Sequence, residues 1–125
     1  MYVKSFKDLD VYKLSRELAK EIYQKSQLFP VSERYSLTDQ VRRSSRSVGA
    51  QIAEAWGKRR YERHFIAKLT DADGEQLETQ HWIETANECA YLKDEEKDSL
   101  INKCESIGKM LQSMLEKSSS FCNLM

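Results

Sequence analysis

An all-α fold, in the form of an antiparallel up-down-up-down four-helix bundle, is what this 125-residue sequence predicts, and three observations predict it. Apolar residues recur at spacings of three and four along nearly the whole chain, which is the period of an amphipathic helix. Proline occurs once and glycine four times, too few for a sandwich, a collagen-like chain or a linker-rich one. The interruptions of the helical pattern divide the chain into four long segments joined by short turns, the plan of a single bundle domain over residues 1–125.

The first helix is expected over about 8–28. Val11, Leu14, Leu18 and Ile22 share one face, and Asp8 or Ser5 can cap the start. Pro30, in Leu28-Phe29-Pro30-Val31-Ser32-Glu33, stops it. The second helix is expected over 36–57. Ser36 can cap the amide of Asp39, and Leu37, Val41, Val48, Ile52 and Ala55 carry the apolar stripe, with Ser44 and Ser45 as small positions between. The helical pattern then runs on past Trp56, but one helix from Ser36 to Ala90 would be ~80 Å long, too long for a compact chain of this size. Gly57 is the best residue for a break, with the turn from Gly57 to Tyr61. The third helix is expected over 62–90, burying Phe65, Ile66, Leu69, Ala72, Leu77, Ile83 and Ala86. The fourth is expected over 94–117: Asp94, Glu95 and Glu96 load its first turn with the charge its dipole favours. Leu100, Ile101, Cys104, Ile107, Leu111, Met114 and Leu115 form its stripe, and 118–125 reads as a loose tail. Gly49, Gly74 and Gly108 fall inside helices at about 1 kcal/mol each relative to alanine, which suggests close backbone approach.

Composition excludes several function classes. Twenty basic residues balance twenty acidic ones, so a polybasic, histone-like protein is ruled out for the whole chain. No apolar run reaches the ~20 residues of a membrane span, and the first residues lack the apolar core of a signal peptide. Three widely spaced cysteines make neither a disulfide framework nor a zinc or redox motif. The expectation is a reduced, cytoplasmic protein.

Charge is balanced in total and not in distribution. Val41 to Lys68 holds eight basic residues against two acidic ones, whereas Asp71 to Glu105 holds eleven acidic against three basic. Lys58, Arg59, Arg60 and Arg63 cluster at one turn beside Tyr61 and His64, and Arg42 and Arg46 add charge on the second helix. Cations interleaved with aromatics suit phosphate backbones and stacked bases, so these six are the candidate nucleic-acid contacts. The competing reading is a solvated surface, or a face that meets the acidic helices of another copy. Gln40, Arg43, Ser47, Gln51 and Glu54 form a polar strip beside the second helix's apolar stripe. Buried polar groups need partners, and Lys68, Asp71, Asp73, Glu75, Glu78 and Gln80 can supply them. Gln40, Arg43, Gln51, Glu54, Asp71 and Glu78 are therefore candidates for a subunit interface or a polar interior.

Catalytic and metal chemistry find little support. A di-metal bundle needs two Glu-x-x-His motifs, and only Glu78–His81 fits, because Tyr61 stands at the matching position before His64. No nucleophile elbow, phosphate-binding glycine loop or dinucleotide fingerprint is present. Ser44 and Ser45 have no histidine nearby and read as packing residues, Cys104 as core, and Trp56 and Trp82 as core or interface anchors. An enzymatic alternative would be a carboxylate pocket built from Glu54, Asp71 and Glu78. The expectation is a non-catalytic chain with no metal, cofactor or small-molecule substrate.

The chain resembles the bacterial four-helix-bundle proteins associated with intervening sequences in 23S ribosomal RNA genes. The resemblance runs from Phe6 to about Leu115. It rests on Phe6-Lys7-Asp8-Leu9-Asp10-Val11-Tyr12, Phe29-Pro30-Val31-Ser32-Glu33, Leu37-Thr38-Asp39-Gln40-Val41-Arg42-Arg43 and Ser47-Val48-Gly49-Ala50-Gln51-Ile52-Ala53-Glu54-Ala55. The last segment is similar to the family's Ser-Ile-Pro-x-Asn-Ile-Ala-Glu-Gly, departing from it at Gly49, Gln51 and Ala55. Lys68 to Gln80 is similar to a subgroup. The resemblance implies a left-handed antiparallel bundle and a homo-oligomer, in the form of ring-shaped pentamers, with no established activity or cofactor. It implies that Arg43, Gln51 and Glu54 line the bundle interior or the ring. The ribosomal-RNA link is genomic and suggests RNA as a partner. Related accessory proteins of diversity-generating retroelements are basic pentameric barrels that engage nucleic acid. The function expected is thus a homo-oligomeric bundle binding RNA through its basic cluster, the alternative being a self-assembling module with no nucleic-acid ligand.

Overall fold

The computed structural model describes residues 3–122, and among them there is no strand. Four long helices make up the body: α1 (Asp10–Ser26), α2 (Leu37–Gly57), α3 (Glu62–Glu88) and α4 (Asp94–Glu116). A short fifth, α5 (Ser118–Cys122), follows, and single 3-10 turns at Phe6–Asp8 and Val31–Glu33 precede α1 and α2. α1 packs on α2, α2 on α3, α3 on α4, and α4 closes on α1. One apolar core joins all four, with Leu18, Val48, Ile52, Phe65, Leu69, Ile83, Leu100, Ile107 and Leu111 buried together.

Side-chain pairs fix the register. Between α2 and α3, Ser44 meets Thr79 at 2.8 Å and Glu54 meets Lys68 at 3.2 Å. Between α1 and α4, Lys25 meets Glu96 at 2.9 Å, and Glu21 meets Lys103. Between α1 and α2, Arg42 Nε donates to Ser26 Oγ at 2.8 Å. In the first two sets the numbers rise on one helix as they fall on the other.

The buried face of α3 differs from the expected one. Phe65, Leu69, Ala72, Gln76, Thr79, Ile83 and Ala86 are buried, in unbroken steps of four and three. Ile66 and Leu77, expected in the core, lie one position off that stripe and are 37% and 54% exposed. Gln76 and Thr79 take the core positions because their polar groups find partners. Thr79 Oγ1 lies 2.8 Å from Ser44 Oγ and from the Glu75 carbonyl. Gln76 donates to Asp73 and accepts from Gln80. Satisfied in this way, a buried hydroxyl or amide costs little.

The helix ends depart from expectation in several places. α1 is shorter than 8–28 at both ends, and its N-cap position is Leu9, with no side-chain cap. Ser5 caps the preceding 3-10 turn instead, its hydroxyl accepting from the Lys7 amide. The Ser36 side chain does not cap α2, whose Leu37 amide approaches Glu33 Oε1 at 3.4 Å. Gly57 is the last residue of α2 and keeps a right-handed conformation; Lys58 forms the cap. α3 stops at Glu88 because Ala90 adopts φ 63°. The Tyr91 amide then reaches the Ala86 carbonyl, and the Ala90 amide the Asn87 carbonyl, closing a Schellman motif. At the start of α4, the Glu96 carboxylate accepts from the Lys93 amide at 2.9 Å. Residues 118–122 are not loose: Phe121 stacks on buried Phe65, and Ser118 Oγ donates to Glu62 at 2.7 Å. The remainder of the expected tail, 123–125, lies outside the described residues.

The glycines divide. A methyl group at Gly49 would meet Ser15 Oγ at 3.1 Å, and one at Gly108 would meet the Gln76 amide at 2.9 Å, so these two permit close approach. Gly74 faces open space. No helix of the described residues is long and apolar enough to cross a membrane.

Candidate nucleic-acid interface

The α2–α3 connection is a four-residue turn, Lys58 to Tyr61, and three of its four residues are basic. Lys58, Arg60 and Arg63 are exposed there. Arg59 is folded back: its Nε donates to the Trp56 carbonyl at 2.9 Å and its guanidinium lies 3.6 Å from the centre of the Trp56 ring. Arg60 lies over Tyr61 at 5.9 Å, and Tyr61 tilts against His64 at 5.5 Å. Such stacking holds a guanidinium in place without neutralising it.

Arg42 and Arg46 do not join this cluster. Sixteen residues of helix separate Arg42 from Lys58, ~24 Å along the axis. Both arginines instead flank Tyr23 of α1, with guanidiniums 4.8 and 5.6 Å from its ring centre. Arg46 also lines a concave face between α1 and α2. Arg16, Glu17, Ala19, Lys20, Tyr23 and Arg46 line a groove of about 620 Å³. A second hollow of about 240 Å³ shares Arg16, Ala19 and Arg46 and continues to Phe6, Tyr12, Gly49, Ala50 and Ala53.

Ion pairing separates the cations into two populations. Lys25, Arg43, Lys68, Lys97 and Lys103 form salt bridges with carboxylates. Among the described residues, none of Arg42, Arg46, Lys58, Arg59, Arg60 and Arg63 does, nor do Arg16 and Lys20. The salt bridges among the described residues are thus made mainly by lysines, with Arg43 the one arginine among them.

The polar strip of α2 is only partly engaged by α3. Glu54 meets Lys68, and the Glu75 carboxyl is raised above its ordinary range by burial and by Glu78, against a lowering influence of Ser47. Arg43 pairs within its own helix, with Asp39 at 2.9 Å. Gln40 and Asp71 are exposed, and Glu78 accepts the Trp82 indole N–H at 3.0 Å. Gln51 Oε1 is buried with no hydrogen-bond partner among the described residues. His81 is exposed with its ring edge-on to Trp82. Among the described residues, no group of three or more His, Cys, Asp or Glu side chains could hold a metal ion. Cys104 is core, and burial pushes its thiol up to about 12.

Residues 7–113 match the family model of the 23S rRNA-intervening sequence protein. The chain belongs to that family. Its fold is similar to the 1.70 Å crystal structure of a protein of unknown function from the S23 ribosomal protein family of Bacteroides thetaiotaomicron, with TM-score 0.78 and 30% identity over 85% of this chain and 95% of that one. A search of curated proteins returned no match. The family is not a known enzyme family.

Sequence reasoning found the turn cluster and passed over Arg16, Lys20 and Tyr23. The signal was present as an Arg16–Lys20 step of four on the first helix. It was masked because Glu17 and Glu21 cancel those charges in any linear count.

Proposed function

We propose that this chain is a non-catalytic, antiparallel up-down-up-down four-helix bundle that binds RNA through the basic α2–α3 turn. The opposed numbering of the side-chain pairs supports the topology. What supports the RNA reading is the ion-pair pattern: Lys58, Arg60 and Arg63 are exposed and make no salt bridge among the described residues, and Arg59 is stacked on Trp56. Phosphate contacts release counterions, so binding of this kind weakens steeply with salt. The test is fluorescence anisotropy with a labelled ribosomal-RNA stem at low and at physiological salt. Binding at low salt that falls when Arg59, Arg60 and Arg63 become alanine is the expected result. No binding at low salt, or binding indifferent to that triple change, removes the proposal.

A second reading is self-assembly into a homo-oligomer, a pentamer by family resemblance. The exposed outer face of α3 favours it, where Ile66 and Leu77 stand out from Gly74 and Thr70 beside Asp71 and Glu78. An apolar strip with an acidic rim suits a basic, small-residue face of another copy. Light scattering decides it: the reading expects an oligomer that loosens when Leu77 becomes lysine, and a monomer at all concentrations ends it.

A further inference from the structure

We propose that the groove between α1 and α2 is a second nucleic-acid site, one that seats a single strand with its phosphates on Arg16, Lys20 and Arg46. This rests on the RNA reading above and adds a surface separate from the basic turn.

Four observations converge. First, the groove is concave and large enough for a chain of ligand groups, about 620 Å³ with a further 240 Å³ in continuation. Second, its cations come from both walls: Arg16 and Lys20, a step of four on α1, and Arg46 on α2, with Arg42 one turn before Arg46 and over the same Tyr23 ring. Such steps place side chains about 6 Å apart, close to one phosphate-to-phosphate step along a nucleotide strand. An isolated phosphate would not need cations on both walls.

Third, the arginines are positioned in advance. Arg42 Nε is held by Ser26 Oγ at 2.8 Å, and the Tyr23 ring attracts both guanidiniums. Ordering two arginines before the ligand arrives removes part of the entropic cost of binding. Glu17 is the one acidic residue lining the larger groove, and it makes no salt bridge with these cations. Three cations gathered around a single carboxylate repel one another, and a bound polyanion offsets that repulsion.

Fourth, the continuation of the groove is apolar and aromatic. Phe6, Tyr12, Ala19, Ala50 and Ala53 line it, and the absence of a side chain at Gly49 keeps its floor low. Bases and sugars have apolar faces to place there, and an inorganic polyphosphate has none. This selects a single-stranded nucleic acid over other polyanions.

The test compares three intact proteins: wild type, the groove variant R16Q/K20Q/R46Q and the turn variant R59A/R60A/R63A. Each is titrated with a short labelled oligouridine across a salt series, with inorganic polyphosphate as a competitor. Three lost phosphate contacts should lower the log–log salt slope by about 2 and weaken binding about 100-fold at 0.1 M salt. The groove variant should also melt at or above the wild-type temperature, because the repulsion is gone and the substituted side chains lie at the surface. A cross-link from thiouridine-bearing oligonucleotide should map to Tyr12 or Tyr23. If the groove variant binds like wild type while the turn variant fails, the groove site is wrong and the turn reading stands. If both bind like wild type, or wild type does not bind, both readings fall. Polyphosphate competing as well as the oligonucleotide, monomer for monomer, overturns the selection for a strand.

Discussion

Ala90 holds a left-handed backbone, φ 63°, at a position where glycine is the ordinary choice. The Schellman bonds around it force that conformation, and the alanine methyl group works against it. Ala90→Gly should therefore stabilise the protein by about 1 kcal/mol, read as a higher urea midpoint with an unchanged slope. Sequence reasoning placed the end of this helix near 90 and had no means to see the strained residue, because alanine advertises a helix rather than its end. The cysteines show a similar contrast. Cys104 was recognisable as core from its spacing, and its buried thiol, pushed up to about 12, stays protonated at neutral pH. Cys122, in the segment expected to be a loose tail, is half-buried, its thiol raised by burial and by Glu62 despite Arg59. An aromatic disulfide reagent at neutral pH should therefore label exposed Cys89 first, Cys122 more slowly, and Cys104 only on unfolding.

Element by element, α1, α2 and α4 were legible because each carries a clean apolar stripe. α3 was legible as a helix and misread in phase, since its buried row includes Gln76 and Thr79 while Ile66 and Leu77 point outward. No period of apolar residues could reveal this; it depends on Ser44, Asp73 and Gln80 lying within reach of the two polar side chains. The glycines test the packing between elements. Gly74→Ala fills open space on a helix and should raise stability by about 0.5–1 kcal/mol. Gly108→Ala gains the same propensity but drives a methyl group to within 2.9 Å of the buried Gln76 amide. Displacing a satisfied buried amide costs roughly 1–3 kcal/mol, so this substitution should destabilise. Thermal melts of the two variants, run side by side, distinguish a loose seam from a tight one.

At the scale of the whole molecule, pH acts on two carboxylates in opposite senses. The Lys93 amide and then the Lys25 ammonium hold Glu96 below its ordinary range. Its contribution is present above the unfolded value and is lost as pH falls through the depressed one, so it belongs to the acid limb of stability. Burial, then Glu78, holds Glu75 above its ordinary range. Its contribution is present below the unfolded value and is lost as pH rises through the raised one. Glu75→Gln should therefore raise the melting temperature at neutral pH, and the gain should vanish below the ordinary carboxylate range. Glu96→Gln should lower it at neutral pH and converge with wild type in strong acid. The distribution of charge that governs these effects was visible in the sequence as a basic stretch followed by an acidic one. Which charges neutralise each other was not, because the bridging lysines come from α1, α3 and α4, far along the chain from several of the carboxylates they meet.

The guanidinium of Arg59 resting on the indole of Trp56 gives the protein an optical gauge of its own. Any ligand that draws that cation toward itself changes the electric field across the ring, and the emission colour and brightness of Trp56 shift with it. Trp82, on α3 and hydrogen-bonded to Glu78 rather than to an arginine, supplies the steady background against which the change is read. Occupancy of the basic turn can thus be followed without a dye.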